Sequence, residues 1–443
     1  MKAGITGIRL FQTLLYSWLK IFKKIADLRL KILENLAQRW IFDGVSWIEV
    51  LHNANTALSK EKQIRIDGIT DQQKIIYFTF REYHFLDWFL PIYRALIKRF
   101  PDKYAIFCID FGSTLRNVGN RYAYWEYHQK ILQRFSIHKI STSAIFSDQE
   151  IGLYTRFPAP DLIITSETIR KELFTCKNRI YLPHYCVPKA KDTLPKKISY
   201  NHVFLPTRPP FTYPEISAGI DSEISIHQVG YPKNQSQTQP FTPEFDADQP
   251  LVIYAPSLEE ALIFPALKAG ILDVFKKMTD LNFMIKLHPT LSSKMQNVRR
   301  LIEQLTRSSS HIKIDSLTSI QDMGSQSTAL ITDFGSVGAE FRLRFLKRVI
   351  YLKVPVRFEG GADLHFRDQF ADEVTHVDGL EKAIRAVVKK GDLKPSEGKE
   401  MIQQVLYHPE TADQYAADKI DDILSIDTQL KEEMSGTRYH TSN

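Results

Sequence analysis

Two histidines and one aspartate stand where this chain has the means to do chemistry. The run Phe283-Met284-Ile285-Lys286-Leu287-His288-Pro289 is apolar over a strand's length and stops abruptly at a His and a Pro. Ala329-Leu330-Ile331-Thr332-Asp333-Phe334-Gly335-Ser336 repeats the pattern and stops at an Asp and a Gly. In open α/β sheets ligands sit just beyond the carboxyl ends of such strands, so His288 and Asp333 are expected to share one crevice. Lys286 and His288 alternate with Leu287, which puts both on one side of the strand and turns Leu287 into the core. Pro289 ends the strand, and Ser292 or Ser293 is placed to cap the helix carrying Asn297, Leu301 and Leu305. A phosphate beside Lys286 and His288 would meet a cation and free backbone amides together.

After Asp333, Gly335 permits a tight or left-handed turn and Ser336-Val337-Gly338 opens a helix. Gly335, Ser336 and Val337 thus form a second anion pocket. Asp333 has three readings: a ligand for a ribose or sugar hydroxyl, a group that orients His288, or the N-cap of the following helix. Gly338 lets helix and strand approach closely. Another histidine, His184, lies between two prolines in Ile180-Tyr181-Leu182-Pro183-His184-Tyr185-Cys186-Val187-Pro188-Lys189. At a strand end it suits a general base acting on a hydroxyl, and its other reading is a structural loop residue. Gly230-Tyr231-Pro232-Lys233-Asn234 and Tyr254-Ala255-Pro256-Ser257 read as turns, the first a possible hinge, the second offering the Ser257 hydroxyl to a phosphate.

Elements must hold these groups in place, and the chain has the material for them. Its 443 residues exceed what one core accommodates, and 43% apolar with 25% charged residues is a globular composition. Short apolar runs rich in Val, Ile, Phe and Tyr recur from Lys74, spaced by helix-length stretches: Ile75–Phe80, Tyr104–Ile109, Leu162–Thr165, Val203–Leu205 and Ile224–Val229 among them. A second series starts at Leu251 and includes Phe283–Leu287, Ile312–Ile314, Ala329–Thr332 and Val349–Lys353. Near-continuous apolarity and strand-helix alternation predict two parallel, doubly wound sheets. The reading assigns residues 1–41 to a basic amphipathic helix, 42–234 to a first Rossmann-like acceptor domain and 235–250 to a linker. It gives 251–426 to a second, nucleotide-binding domain and 427–443 to a disordered tail.

Charge and cysteine content narrow the partners. The net charge of +7 favours an anionic one, and residues 1–40 carry eight Lys/Arg against Asp27 and Glu34. Apolar residues recur there at helical steps, but no stretch reaches the roughly 20 apolar residues of a span. The segment is expected to lie on an anionic membrane surface, or else to pack on the protein's own core or a partner. No cleavage signal follows, so the expected location is the cytoplasmic face of the cell membrane. Cys108, Cys176 and Cys186 show no zinc or disulfide spacing and read as reduced, buried thiols. Neither a P-loop nor G-x-G-x-x-G, H-E-x-x-H or G-x-S-x-G occurs. The Arg121, Tyr122, Tyr124, Trp125 and Tyr127 cluster reads as an amphipathic helix, and no nucleic-acid partner is expected.

Taken in order, His184, Gly230 to Asn234, Tyr254 to Ser257, Leu287 to Pro289 and Ile331 to Ser336 resemble the motifs of the bacterial CDP-glycerol glycerophosphotransferase family, the teichoic acid primases and polymerases. The resemblance covers roughly Arg179 to Leu352, and it departs from the family at Tyr185, at Leu258-Glu259 and at Gly335. It implies a type-B glycosyltransferase fold and transfer of glycerol phosphate from CDP-glycerol to a lipid-linked acceptor with release of CMP. No metal or other cofactor is implied. His184 would be the base on the acceptor hydroxyl and His288 would stabilise the donor phosphates. Two alternatives stand beside it: a nucleotide-sugar glycosyltransferase or UDP-sugar 2-epimerase relative, and a non-catalytic membrane-bound assembly protein.

Overall fold

The computed structural model describes residues 59–436 apart from 82, 112–130, 148–156, 167–175, 190–191, 194–199, 219–223, 239–240, 242–244, 246–248, 258, 289–292, 316–317 and 356–360. The basic N-terminal segment, the Arg121 to Tyr127 cluster, Pro289 and Ser292 lie outside the described residues. Among the described residues, thirteen strands form two sheets. The first holds β1 (Lys74–Phe80), β2 (Tyr104–Asp110), β3 (Ile145–Ser147), β4 (Leu162–Thr165), β5 (Asn178–Tyr181), β6 (His202–Leu205) and β7 (Ser225–Gln228), in the order β3-β2-β1-β4-β5-β6-β7. β8 (Leu251–Tyr254), β9 (Asn282–Lys286), β10 (Ile312–Asp315), β11 (Ala329–Thr332), β12 (Arg348–Leu352) and β13 (Glu373–Thr375) make the second, in the order β10-β9-β8-β11-β12-β13. Every described strand pairing is parallel.

Apolarity sorts the strands by position. β4, β8 and β11 read LIIT, LVIY and ALIT, buried at every residue, as strands covered on both faces must be. The outer strands β7, β10 and β13 carry polar residues and are partly exposed, which blunts sheet edges that would otherwise pair with other chains. Both orders contain the doubly wound pattern 3-2-1-4, in which the chain builds outward from a first strand and then crosses to its other side. In the second sheet the crossing lies between β8 and β11, so the loops leaving these neighbours depart in opposite directions and open a crevice at their carboxyl ends.

The chain divides into two compact units, residues 1–179 with 420–443 and residues 180–419. In the first, Tyr77 and Phe107 pack edge-on at 5.9 Å and Phe107 and Phe146 at 5.6 Å, filling one face of β1 to β3. The last helix, Ala412–Gly436, contributes Asp421, which accepts hydrogen bonds from Lys103 Nζ and Tyr104 Oη. Residues 427–436, given to a tail on composition, continue that helix. The larger unit has its main core under β8, β9 and β11, where Phe275 stacks on Phe283 at 4.4 Å and Leu287 is fully buried. Among the described residues no helix is long and apolar enough to cross a membrane.

The turn at Lys233 and the first residues of the polar run 235–250, read as linker, are anchored. Lys233 is buried and its Nζ donates to Glu340 Oε2 at 2.6 Å, while Arg344 donates to the carbonyls of Lys233 and Ser236. Gln235 Nε2 reaches the Pro409 carbonyl at 2.8 Å. Just before it Gly230, at φ +96°, lies so close to the Tyr407 carbonyl that an added Cβ would stand 2.2 Å from its oxygen. The Gly230 turn is therefore packed within its unit. Lys233→Met should strand the Glu340 carboxylate and cost about 3–5 kcal/mol, whereas Lys233→Met with Glu340→Leu should recover most of it. Urea unfolding checks this; additive losses in the double variant would contradict a coupled pair.

Candidate functional site

Asp333 follows β11 on the switch between β8 and β11, and its side chain closes that switch. Asp333 Oδ1 accepts from the Ser257 amide at 2.9 Å and from the Phe334 amide at 2.6 Å, tying the loop after β8 to the loop after β11. Thr332 Oγ1 donates to the Ala255 carbonyl at 2.8 Å, a second tie across the same pair. The helix Val337–Phe345 begins at an N-cap Ser336 with no side-chain cap, so Asp333 is not its N-cap and that structural reading falls away. Asp333 is only 4% exposed and its Oδ2 is buried without a hydrogen-bond partner. The Ser257 hydroxyl, outside hydrogen-bonding geometry, is still close enough to favour the carboxylate. Burial outweighs it and the two amides and pushes the Asp333 carboxyl up to about 6.

Lys286 and His288 emerge from β9 as the alternation requires. Lys286 is buried and donates to the Leu287 carbonyl at 2.8 Å. His288, at the strand end, is partly exposed but desolvated enough that its imidazole is pushed down to about 3, with the charges of Lys286, Lys189 and His184 adding to the effect. Four basic groups thus act at one place, and two of them come from the loop after β5. His184 sits there with its ring edge-on to Tyr185 at 4.8 Å. Lys189 extends over the Phe334 ring at 5.1 Å and along Gly335, whose added Cβ would stand 3.1 Å from Lys189 Cε.

The turn after Asp333 departs from the expected anion pocket in one respect. Gly335 does adopt a left-handed backbone at φ +98°, and Val337 does open the helix. Ser336 Oγ, however, donates to Glu340 Oε1 at 2.8 Å, so its hydroxyl is engaged with its own helix and with the Lys233 anchor. Gly338 packs against β12, where an added Cβ would stand 2.2 Å from Tyr351 Oη. Cys186, two residues past His184, is fully buried with its thiol pushed well above the ordinary range, which leaves it a core residue. Residues that spacing did not single out complete the surroundings: Tyr351, Asp363 and Arg367 line a small pocket with Asp333, Phe334 and Gly335. Among the described residues no group of three or more His, Cys, Asp or Glu side chains is placed to hold a metal ion.

No protein-family model matches the chain, and no curated protein matches it. Solved structures do. MnaA of S. aureus with UDP is 13% identical at a TM-score of 0.51, covering 81% of this chain and 98% of its own. UDP-GlcNAc 2-epimerase from Neisseria meningitidis, bound to UDP-GlcNAc, is 12% identical at 0.48, covering 80% and 100%. A glycosyltransferase of kitacinnamycin is 10% identical at 0.46, again covering 80% and 100%. The first likeness and the two parallel sheets establish an α/β fold of the type-B glycosyltransferase kind.

The two perturbed groups act on stability with opposite sign. Folded Asp333 keeps its proton up to about pH 6 while the unfolded chain loses it near 3.8, so this group lowers stability as pH rises through that window, by on the order of 3 kcal/mol. Folded His288 stays neutral down to about pH 3 while the unfolded chain binds a proton below 6.5, so this group raises stability as pH rises between those values. Asp333→Asn should therefore stabilise the protein at pH 7.5 with a gap that closes toward pH 4. His288→Gln should stabilise near pH 4 to 5 and change little at pH 7.5. Unfolding free energies across pH check both, and an offset independent of pH would contradict either.

Proposed function

We propose that the protein is an enzyme that binds a nucleoside-diphosphate-activated donor at the carboxyl ends of β8, β9 and β11. It acts on the group the donor carries, in the manner of a nucleotide-sugar epimerase or glycosyltransferase. The convergence of Lys286, Lys189 and His184 on His288 carries this reading. Like charges gathered at a strand-end crevice cost free energy in the empty protein, and a diphosphate placed among them removes the cost. Asp333, held rigid between Ser257 and Phe334, leaves one oxygen for a hydroxyl. The S. aureus protein of the same fold is seen with UDP, which supports a nucleotide as the occupant. His288, neutral at pH 7, is able to donate a hydrogen bond to a phosphate or exchange a proton with the reacting group.

A second reading, transfer of glycerol phosphate from CDP-glycerol, is favoured by a second histidine, His184, whose charge acts on His288. One imidazole serves the donor, and a second has a use when an acceptor hydroxyl must lose its proton as its oxygen attacks phosphorus and CMP departs. The lipid-linked acceptor and the membrane-surface location of that reading draw on the basic segment 1–41.

Thermal unfolding with UDP, UDP-GlcNAc, CDP and CDP-glycerol separates the two. A nucleotide at 100 times its Kd adds about 2.7 kcal/mol, and His288→Ala should weaken the bound one at least tenfold. His184→Ala should weaken donor binding less than His288→Ala does, and should abolish turnover if glycerol phosphate is transferred. Absence of any shift with all four nucleotides would contradict the proposal.

A further inference from the structure

One wall of the pocket beyond β11 and β12 has no part in holding the diphosphate. Asp363 stands there in the first turn of the helix Gly361–Phe370, with its amide donating to the Pro188 carbonyl at 3.2 Å. Its Oδ1 is buried and accepts no hydrogen bond, and neither does Oδ2 of the almost fully buried Asp333 on the same pocket. A buried acceptor without a donor is disfavoured, so two of them from separate elements mark a place shaped for something that brings donors of its own.

The remaining lining says what those donors belong to. Tyr351 and Arg367 add polar groups, and Phe334, Val354 and Leu364 add apolar surface on which carbon atoms can rest. A phosphate would face two carboxyls here, whereas beside His288 it faces cations. A metal ion would find only two carboxylates, with Arg367 on the wall and the Lys189 charge acting on Asp363. Hydroxyl groups fit: each donates to a carboxylate oxygen, and their carbon skeleton packs on the apolar side. Burial pushes the Asp363 carboxyl up to about 7 against the opposing pull of the Leu364 amide and Lys189, so either protonation state is within reach near neutral pH. As anion it accepts from a hydroxyl, and as acid it also donates to one.

We propose that Asp363 is a specificity-determining residue that, together with Asp333, receives the hydroxyls of the polyhydroxylated group, sugar or polyol, carried by the donor. This rests on the nucleoside-diphosphate reading above, and it assigns the two ends of the donor: diphosphate toward His288 and Lys286, carried group toward Asp363.

The test compares full-length wild type, Asp363→Asn and Asp363→Leu by calorimetric titration with UDP against UDP-GlcNAc and CDP against CDP-glycerol. Wild type should bind one group-bearing nucleotide at least tenfold more tightly than the matching bare nucleotide, and the pair in which this occurs tells sugar from polyol. Asp363→Leu should lose that preference while its affinity for the bare nucleotide stays within twofold. Asp363→Asn, whose amide oxygen still accepts, should keep part of the preference, and its unchanged thermal midpoint guards against a folding defect. If wild type binds no nucleotide, the parent reading fails and takes the proposal with it. Nucleotide binding with no preference in wild type, or with equal losses for bare and group-bearing forms in both variants, overturns the role of Asp363 alone.

Discussion

The carboxyl of Asp333, buried and pinned by the main-chain amides of Ser257 and Phe334, is the interaction on which the rest of the site depends. A doubly wound sheet opens a crevice where its strand order reverses, but an open crevice has no fixed width. Two amides on one oxygen, with the Thr332 hydroxyl bonded across the same pair of strands, set the spacing between the β8 and β11 loops. The cost is a carboxyl held in a dry place with its second oxygen unserved. Such a group weakens the empty protein above pH 6 and is the sort of local destabilisation that a functional site retains because a ligand relieves it.

Around this fixed point the unit 180–419 divides its charge. Cations gather on the β9 side, where Lys286, Lys189 and His184 act on His288, and carboxyls gather beyond β12, where Asp363 joins Asp333. A donor with a charged middle and a hydroxylated end has the matching polarity. Lys189 bridges the two regions, since its stem runs along Gly335 while its charge is felt by both His288 and Asp363. Close packing holds the arrangement: the Lys233 to Glu340 pair locks the Gly230 turn to the helix that starts at Val337, and Ser336 is drawn into that lock.

Much of this was legible in the amino-acid order, for identifiable reasons. Strands covered on both faces have to be continuously apolar, so β4 and β11 begin and end at the residues their composition indicates. Carboxyl ends of such strands are where ligand groups are expected, which is how His288 and Asp333 stand out, and alternation puts Leu287 in the core beside Phe283 and Ile285. What escaped was non-local. Lys233 sits in a turn just before the Gln- and Ser-rich linker, and only Glu340, 107 positions away, reveals it as an anchor. Ser336 reads as a phosphate ligand on spacing alone, but Glu340, one helical turn on, takes its hydroxyl. Asp363 belongs to a short polar stretch after β12 with no motif, although the rule that ligand groups follow β-strand carboxyl ends applied to β12 as well.

The decisive measurement is an NMR titration of the His288 imidazole, with selectively labelled histidine and with and without saturating UDP. The ring should stay neutral down to about pH 3 without nucleotide, and a bound diphosphate should move its titration up by one pH unit or more. An imidazole that titrates near 6.5 in the empty protein, or one whose titration ignores bound UDP, would contradict this.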